Sequence, residues 1–389
     1  MRFTGRQVDR TLRAMADAPL RPRIRELRER AGLSQAALAE AVGVSRQTWI
    51  AVEAGRQVPS ALHALKIARA LGSSVEQLFE LPPEPGLPVT LAPLARSTGS
   101  AVSASRRVAV ARVGAAWVAH PLAHDAMAAA DGILATRAGA AARWLVEPLV
   151  DLGRLERHVL VAGCAPLLGI LAACATRERP DLRVSWLEAD NRRALDLLAG
   201  GLVHAAGLHG ARSLADRQLP VLRRRFAGRR LLAVNLTRWR QGLVVAPGNP
   251  LGIHEPSDVL RRDLRFAWRA PGAGATQLLE TALSRSGVKR ARLPGGPFAA
   301  GHLQVAQWVR AGAADVGVAI EGVALGAGLD FVPLAEERFD LVVPEDFARQ
   351  GPVAEMLELL AGSRFRDEAA TLPGYDGSLT GDSVQLGPV

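Results

Sequence analysis

The spacing of apolar residues changes near residue 82. Before that point apolar side chains recur every three or four positions, as at Leu38 and Val42 or at Trp49 and Val52, which is typical of amphipathic helices. Beyond residue 106, short apolar runs such as HVLVAG and DVGVAI alternate with Ala/Leu-rich runs such as PLLGILAACATRE. This alternation is typical of α/β structure. The pattern therefore predicts an all-α region followed by a larger α/β region.

Start and stop signals divide residues 21–81 into five short helices. Serines that can cap a helix N-terminus precede two of them, at Ser34 and Ser45. Glycines suited to a left-handed C-cap follow four of them, at Gly32, Gly43, Gly55 and Gly72.

Composition marks the boundary between the two regions. The segment 82–106 is rich in Pro, Gly and Ser, and five prolines fall between Pro82 and Pro93, which excludes a continuous helix. We interpret it as a linker or an extended lead-in. The predicted parts are an N-terminal extension at 1–20, a helical domain at 21–81, the linker at 82–106 and an α/β domain at 107–389.

Positive charge is concentrated in the helical part. The chain has 48 Lys and Arg against 38 Asp and Glu, a net charge of +10, and half of that excess lies within residues 1–81. A basic domain of this size favours a polyanionic partner such as nucleic acid. Only Lys66 and Lys289 are lysines, so a coding bias toward arginine explains the bulk of the excess equally well.

Residues 35–54 predict a helix-turn-helix, with one helix at Gln35–Ala41, a turn at Gly43 and a second helix at Ser45–Ala54. The segment LSQAALAEAVGVSRQTWIAVEAGRQVPS, followed by ALHALKIARALGSSVEQLF, resembles the lambda-repressor-like, xenobiotic-response-element family of regulators. The resemblance implies that the second helix reads bases in the major groove of double-stranded DNA. It assigns DNA contacts to base-facing Ser45, Arg46, Gln47 and Thr48 and to phosphate-facing Gln35 and Arg56.

Two residues of the second helix are interpreted differently. Trp49 stands where the family usually has an aliphatic residue, and we predict that it packs in the core; Glu53 is predicted to be structural. The alternative for the whole module is a helical bundle that does not bind DNA, or one that binds a protein. One module contacts few base pairs, so we predict a homodimer on a roughly palindromic operator.

Three strand-to-helix turns in the α/β region are candidate ligand contacts. They are Gly163-Cys164-Ala165-Pro166, the loop PGAGAT at 271–276, and Gly301-His302. Ligands in open α/β sheets bind at such strand ends, and helix N-termini favour anions. The alternative for each is ordinary turn chemistry.

The order of phrases from VLVAGCAPLLGILA through QGLVVAPGNPLGI and HLQVAQWVRAGAADVGVAI to LPGYDGSLTG resembles the periplasmic-binding-protein-like domain of molybdate-binding-like proteins. The resemblance implies a type II fold with two α/β lobes and a ligand between them. It places the crossovers near Gly242–Ala246 and Phe339–Val343, and returns the tail 353–381 to the first lobe. The fold class is therefore multidomain: an all-α five-helix domain followed by this two-lobed α/β domain.

The family archetype is an oxyanion such as molybdate or tungstate, but this sequence departs from its pattern. The loop GAGAT lacks the hydroxyls and the arginine of the more usual GSGTR, and the turn at Cys164 lacks an aspartate. The ligand is therefore an oxyanion, another small anion or a metabolite, or the pocket is degenerate. The candidate ligand-binding residues are Gly163, Cys164, Ala165, Asn191, Gly272, Gly274, Thr276 and His302.

Four side chains have open alternatives. Cys164 is a redox-sensitive thiol or a small buried residue. His302 is an anion donor or a surface cap. The pair His204 and His209 has metal-like spacing, but no carboxylate or cysteine follows at ligand spacing, so we favour turn or pocket-edge roles and predict no metal site.

The remaining features favour a regulator in a reducing compartment. Two cysteines do not form a disulfide framework, and we find neither a secretory signal nor an apolar run that spans a membrane. The chain lacks GxSxG, P-loop and HExxH motifs. We predict a soluble, cytoplasmic, ligand-responsive transcription regulator without enzymatic activity. The alternatives are an enzyme or cofactor-biosynthesis protein with a DNA-binding head, and a DNA-bound scaffold with an empty pocket.

Overall fold

The structure is a computed structural model. The residues it describes are 21–80, 86–93, 106–122, 128–135, 144–210, 219–261, 263–269, 273–285, 287 and 296–388. The predicted extension 1–20 and much of the predicted linker lie outside these ranges. The chain divides into two compact units, Met1–Gly86 and Leu87–Val389.

The first unit contains the five helices that the sequence predicts, together with a two-stranded ribbon. The helices are α1 (Ile24–Arg30), α2 (Gln35–Val42), α3 (Arg46–Glu53), α4 (Ala61–Ala70) and α5 (Val75–Leu78). The antiparallel ribbon pairs β1 (Arg21–Pro22) with β2 (Phe79–Glu80).

Helix caps define the turn between α2 and α3. Ser34 Oγ accepts a hydrogen bond from Ala37 N, and Ser45 Oγ accepts one from Thr48 N, both at 3.1 Å. Gly43 ends α2 with a left-handed φ of 80°, which favours glycine because a side chain there is strained. The helix-turn-helix prediction is confirmed.

Trp49 lies in the core of this unit. It is 1% exposed and packs in one cluster with residues from all five helices. The other fully buried large side chains of the cluster are Ile24, Leu38, Ile67 and Leu78. An aromatic residue at this helical position thus contributes packing.

The second unit contains fifteen of the described strands. They are β3 (Leu87–Leu91), β4 (Arg107–Val113), β5 (Ala116–Pro121), β6 (Gly132–Leu134), β7 (Trp144–Pro148), β8 (His158–Gly163), β9 (Arg183–Glu188), β10 (Ala205–Gly210), β11 (Arg230–Val245), β12 (Phe266–Arg269), β13 (Phe298–Ala299), β14 (Val316–Ile320), β15 (Asp330–Pro344), β16 (Tyr375–Asp376) and β17 (Ser383–Pro388).

Helices cover these strands, and Pro256–Leu260 forms a 3₁₀ turn. The described helices of the second unit are α6 (Leu152–Glu156), α7 (Leu167–Glu178), α8 (Asn191–Ala199), α9 (Leu219–Arg225), α10 (Gly274–Arg285), α11 (His302–Arg310), α12 (Glu321–Gly326), α13 (Glu345–Ala348), α14 (Gly351–Ala361) and α15 (Ser363–Ala370).

The first five strands close into a small barrel in the order β3-β5-β4-β6-β7. Composition predicted a linker over residues 82–106, but β3 lies within that segment and pairs with both β5 and β7. Pro88 stands at the beginning of β3, where a strand tolerates proline. The segment therefore contributes a barrel strand, and the barrel precedes the two lobes.

The remaining ten strands form one large sheet in the order β13-β12-β14-β11-β15-β10-β8-β9, and β16 and β17 also pair with β11. The first lobe is built on β8, β9 and β10 with the parts of β11 and β15 beside them, and the second is built on β12, β13 and β14 with the remainder of β11 and β15. Two strands are longer than the sequence predicted. The runs LLAVNLT and GLVVAP both belong to β11, and DLVVP is the last part of β15. The predicted two-lobed α/β fold is present.

The crossover between the lobes lies a few residues before the predicted positions. β14 of the second lobe pairs with β11 from Gln241 to Val245, and β10 of the first lobe pairs with β15 from Arg338 to Val342. The chain thus crosses at 236–240 on β11 and at 335–337 on β15. The predicted crossover 242–246 begins inside the second lobe, and 339–343 begins inside the first. Sequence signals missed this because the sheet changes partner within continuous strands.

The C-terminal tail packs on the first lobe, as predicted. Arg157 donates to Glu355 Oε2 at 2.8 Å, and Arg177 donates to Glu368 Oε2 at 2.9 Å. β17 then pairs with the first half of β11. The tail therefore adds to the first lobe, and β11 and β15 are the strands that connect the two lobes.

Three buried histidines join the barrel to the first lobe through backbone carbonyls. His120 Nε2 lies 2.7 Å from Leu202 O, His158 Nδ1 lies 2.7 Å from Val110 O, and His204 Nε2 lies 3.1 Å from Arg112 O. Burial lowers the pKa of both His120 and His204 to about 4, so these rings are neutral donors near pH 7.

Candidate functional sites

Helix α3 presents its N-terminal end to solvent. Ser45, Arg46 and Gln47 are exposed, and Thr48 is half-buried. The hydroxyls of Ser45 and Thr48 lie 2.8 Å apart and form the cap of the helix. Among the described residues, Arg46 and Gln47 have no side-chain hydrogen-bond partner, so both are available to a ligand outside the unit.

A buried carboxylate holds α3 in place behind this surface. Glu53, only 8% exposed, accepts hydrogen bonds from Arg28 Nη2, Gln35 Nε2 and Trp49 Nε1, each at 2.9 Å. A buried carboxylate is costly unless it is paired and fully hydrogen-bonded. Glu53 therefore fixes α1, α2 and α3 relative to one another, in keeping with the structural role predicted for it.

The two residues predicted to contact phosphate differ in freedom. Gln35 begins α2, but its amide nitrogen is held by Glu53. One of the two N–H hydrogens of that amide is thus engaged within the unit. Arg56 is exposed just after α3, so its guanidinium can reach a polyanion.

In the second unit, the turn after β8 lies at the carboxyl end of the strand. Gly163, Cys164 and Ala165 are all buried, and α7 follows at Leu167. A Cβ on Gly163 would lie 3.0 Å from Leu168 Cδ1 and 3.1 Å from Phe339 Cζ. The turn thus needs glycine for close packing, and Cys164 and Cys174 are both free thiols.

Two predicted ligand donors instead bond to backbone groups of the protein. Asn191 Nδ2 donates to His209 O at 2.9 Å, and its Oδ1 accepts from His209 N at 3.2 Å. Thr276 Oγ1 donates to Arg269 O at 2.9 Å. Gly272 lies outside the described residues. The side chains of Asn191 and Thr276 therefore shape the cleft walls rather than present donors to a ligand.

His209 of the first lobe touches the second lobe at Gly274. A Cβ on Gly274 would overlap the imidazole ring, so glycine is required there for the lobes to meet. A Cβ on Gly301, which precedes α11, would likewise overlap the Glu188 carboxylate of the first lobe. Both helix starts that the sequence singled out thus lie at the interlobe cleft.

A hydrogen-bonded cluster from the crossover strands lines this cleft. His209 Nδ1 lies 2.7 Å from Glu337 Oε2, which also accepts from Gln241 Nε2 at 2.6 Å and from Trp239 Nε1 at 3.5 Å. The ring of Trp239 is 5.8 Å from that of His209 and 6.2 Å from that of His302. Trp239 therefore contacts His209, His302 and Glu337 and lies at the centre of this cluster.

The charges in the cleft follow from burial and proximity. Burial opposes a charge on His209, but the neighbouring Cys164 and Glu337 raise the pKa of His209 well above its usual value. Burial likewise opposes ionisation of Glu337, yet His209 holds the pKa of that carboxyl below its usual value. Burial, and then the charges of Arg269 and His209, hold the pKa of His302 well below normal. His209 and Glu337 thus form an ion pair, and His302 is neutral.

Four buried polar atoms of the cleft lack a hydrogen-bond partner within the described structure. They are Gln241 Oε1, Arg269 Nε, Arg269 Nη1 and His302 Nδ1. Their residues are 0%, 5% and 2% exposed, respectively. Buried polar groups are nearly always paired, so an unpaired set in one place indicates a ligand site.

Of these three residues, only His302 was predicted. Arg269 ends the buried strand β12, which is otherwise apolar, so a charged residue there was a signal that could have identified it. Gln241 ends the polar stretch TRWRQ of β11, and Glu337 lies in the charged stretch EER of β15. The sequence does not distinguish the buried members of these polar stretches from the exposed ones. His302 is buried, so its interpretation as a surface cap is wrong.

Within the ranges the structure describes, no group of three or more His, Cys, Asp or Glu side chains is placed to hold a metal ion. His204 bonds to the barrel and His209 bonds to Glu337, so the two do not act as a pair. Every helix in the described part of the chain is too short or too polar to cross a bilayer.

Comparison with known families gives two matches, one to each unit. Residues 20–81 match a helix-turn-helix domain model, and residues 172–361 match a PBP superfamily domain model. The first match covers α1 to α5, and the second covers most of both lobes.

Relatives are found for both regions. YgzD, an uncharacterized HTH-type transcriptional regulator of Bacillus subtilis, is 48% identical over 65 residues, which are 17% of this chain and 98% of YgzD. An HTH-type regulator of Methanothermobacter thermautotrophicus is 54% identical over 16% of this chain and 91% of its own length. The uncharacterized protein YvgK of Bacillus subtilis is 31% identical over 42% of this chain, which spans about half (53%) of YvgK.

Solved structures resemble the second unit only distantly. The regulatory domain of MetR, a LysR family regulator from N. meningitidis, aligns with 56% of this chain and 97% of its own at 10% identity and a TM-score of 0.41. An ABC-type phosphate transport receptor from Vibrio cholerae aligns with 56% and 99% at 12% identity and a TM-score of 0.38. The two-lobed assignment rests on the family match and on the sheet order.

Proposed function

We propose, from the premise that this chain belongs to the helix-turn-helix transcriptional regulators and carries a PBP superfamily domain, that it is a DNA-binding regulator controlled by a small molecule. The observation that carries the proposal is that one chain has both an exposed recognition helix and a buried cleft whose polar atoms lack hydrogen-bond partners. The chain acts by binding two ligands, DNA and effector, without chemical turnover.

The exposed end of α3 supports the DNA-binding half of this proposal. Arg46 pairs with guanine and Gln47 with adenine through two hydrogen bonds each, which is how these side chains distinguish bases in the major groove. Ser45 and Thr48 cap the helix and face the same groove, while Arg56 contacts phosphate. Gln35 and Glu53 position α3 behind the reading surface.

The size of the reading surface supports a homodimer. One recognition helix contacts too few base pairs for useful specificity, and two copies related by a twofold axis read two half-sites about one helical turn apart. We therefore propose a roughly palindromic operator for a dimer of this chain.

The cleft supports the effector-binding half. Its walls come from both lobes and from the crossover strands, so a ligand there bonds to both lobes at once. Such a ligand binds the closed arrangement more tightly than the open one and shifts the population toward it. A coupling of this kind changes the affinity for DNA only if the two arrangements differ in their DNA binding.

Electrophoretic mobility shift of the full chain on the DNA upstream of its own gene tests the proposal. We expect a salt-sensitive specific complex, and we expect Arg46→Ala combined with Gln47→Ala to weaken it about 30-fold or more, since each lost base contact costs about 1–3 kcal/mol. The matched control is Glu40→Ala, an exposed change on α2. A specific complex that survives the double substitution unchanged would contradict the assignment of α3.

A further inference from the structure

We infer that the effector of this cleft is a small anion that also carries a hydroxyl group, with Arg269 as its counter-charge and Gln241 as the acceptor for its O–H. This inference rests on the proposed effector-binding role of the cleft and specifies the chemistry of the ligand. It excludes as effectors the anions that bear no proton, such as molybdate, tungstate and sulfate at neutral pH.

The positive charge that faces the ligand is Arg269 at the end of β12, and it does not come from the Gly-rich loop before α10. Arg269 is 5% exposed, and its Nη2 donates to Ala300 O at 3.1 Å. Its Nε and Nη1, which carry three of its five N–H hydrogens, lack an acceptor. The carboxylates of Glu188 and Asp190 act on it electrostatically, but no carboxylate of the described residues forms a direct ion pair with it. A buried guanidinium whose N–H groups lack acceptors is costly, so an anionic ligand that supplies oxygen acceptors is favoured there.

The second requirement comes from Gln241, which is fully buried on β11. Its Nε2 donates to Glu337 Oε2 at 2.6 Å, so its carbonyl oxygen must face the other way. That Oε1 has no donor partner within the described structure. A carbonyl oxygen cannot bond to the oxygen of a fully deprotonated anion, because neither group carries a hydrogen. The ligand must therefore bring a hydrogen-bond donor to this position, and an O–H is the donor that a hydroxy acid or a protonated oxyanion carries.

His302 accommodates either end of such a ligand. Its ring is buried at the start of α11, next to Ala300, whose carbonyl holds Arg269. Because it is neutral, one ring nitrogen accepts and the other donates, and its Nδ1 is unpartnered. The indole of Trp239 lies between His302 and His209. His302 packs beside this indole, Gln241 shares the Glu337 acceptor with it, and Arg269 bonds to Ala300, two residues before His302. The three unpaired groups can therefore converge on one small molecule.

The inference predicts a preference within two matched pairs of probes. Glycolate and acetate share a carboxylate but only glycolate has a hydroxyl, and hydrogen phosphate and sulfate are both tetrahedral but only phosphate carries a proton at pH 7. Isothermal titration calorimetry on the full chain should show glycolate at least ten-fold tighter than acetate, or phosphate at least ten-fold tighter than sulfate. Which pair shows binding identifies a planar or a tetrahedral anion.

Two substitutions separate the two requirements. Arg269→Met should abolish binding of the preferred probe, whereas Arg265→Met, on the outside of the second lobe beside Asp315, should not change it. Gln241→Met should reduce the preference within a pair below two-fold while some anion binding remains. Because Arg269→Met removes a buried unpaired charge, the melting temperature of the free chain should not fall, which shows that the variant is folded.

The results that overturn the inference differ from those that overturn the proposed function. Equal affinities within both pairs, no binding of any of the four probes at millimolar concentration, or binding that survives Arg269→Met contradicts the anion-with-hydroxyl assignment. If a neutral compound then changes the affinity for DNA, the regulator proposal stands without it. If the probes bind as expected but no specific DNA complex forms, the regulator proposal fails and the cleft chemistry stands.

Discussion

The two candidate binding surfaces treat their polar side chains in opposite ways. On α3, Arg46 and Gln47 are exposed, so water satisfies their hydrogen bonds until DNA replaces it. In the cleft, Arg269, Gln241 and His302 are buried with atoms that nothing in the described structure satisfies. The first surface does not lower the free energy of unfolding when DNA is absent, while the second lowers it when the cleft is empty.

This difference shows where stability and function separate. In the first unit, stability depends on the saturated carboxylate of Glu53 behind the reading surface, and the reading residues contribute little to it. In the second unit, the residues that bind are the same residues that cost stability. In the first unit, substitutions should therefore change DNA binding and folding stability independently. In the cleft, a substitution that weakens effector binding should raise folding stability.

The largest effect expected of a single substitution is the loss of the Glu53 carboxylate. Glu53→Ala removes the acceptor of Arg28 Nε, Gln35 Nε2 and Trp49 Nε1, while Arg28 keeps Leu33 O and Glu29 as partners. Removing one partner of a buried pair costs about 3–5 kcal/mol. Urea unfolding of the full chain, followed by circular dichroism, should show an early helical transition. The matched control Glu40→Ala should unfold like the unsubstituted chain, and an unchanged transition in Glu53→Ala would contradict the distinction between reading and supporting residues.

Acid should weaken the second unit before the first. His120 and His204 have folded pKa values of about 4, below the value of 6.5 in an unfolded chain, so the unfolded state binds more protons between these limits. The contribution of these two histidines is constant above pH 6.5 and falls as the pH drops from 6.5 to 4, by on the order of 3 kcal/mol for each histidine. Unfolding midpoints at pH 7.5 and pH 5 measure the change.

The control for this pH effect is a histidine that lies on the surface. His254 is exposed, so His254→Gln should leave the loss of stability between pH 7.5 and pH 5 unchanged. His204→Gln should reduce that loss by about half, because His120 still contributes its share. In the described part of the first unit no histidine is buried, so its transition should not shift by the same amount. Equal acid sensitivity of the two transitions would remove this contrast.

A smaller effect is expected where the lobes touch. Gly274→Ala places a methyl group against the imidazole of His209, which Glu337 holds in place, so the closed arrangement is disfavoured. Effector affinity should fall about ten-fold, which corresponds to about 1.4 kcal/mol, while DNA binding without effector stays the same. Titration calorimetry with the preferred anion measures this. Gly326→Ala, where the new methyl group meets nothing within 4 Å, is the matched control.

The smallest effect is expected at Arg56. A single exposed phosphate contact increases the affinity for DNA of any sequence by a small factor. Arg56→Ala should therefore weaken binding only a few-fold, and equally for operator and random DNA. The slope of log affinity against log salt should decrease by about one. If the substitution instead changed which base is preferred, Arg56 would belong with the base-reading residues.

The helix-turn-helix was predictable because its signals are local. Ser34, Gly43 and Ser45 each act within four residues of their position, and the structure confirms all three. The barrel was not predictable from the same kind of signal. β3 pairs with β5 and β7, which lie far along the chain, and the prolines around it indicated a linker. Pairing between distant strands leaves little mark on the composition of either.

The cleft was predictable only in part. Sequence signals marked the helix starts at Gly274 and His302, which do lie there, but two other candidates, Asn191 and Thr276, bond to backbone instead. Arg269 was missed because it ends a strand that is otherwise apolar, and Gln241 was missed because it follows other polar residues on β11 that are not part of the cleft. Which face of a buried strand meets a ligand depends on the packing of both lobes, and no local pattern encodes it.

The pairing of β11 with β15 continues through the crossover without a break other than two bulges, at Asn235/Thr237 and Gln241/Gly242. The two lobes are thus joined by a hydrogen-bonded ribbon rather than by independent flexible segments. Any opening of the cleft is then an elastic torsion of that ribbon, with the bulges as its softest points. Its stiffness is a property of the backbone, so evolution can change the ligand by replacing side chains and keep the mechanics of the switch.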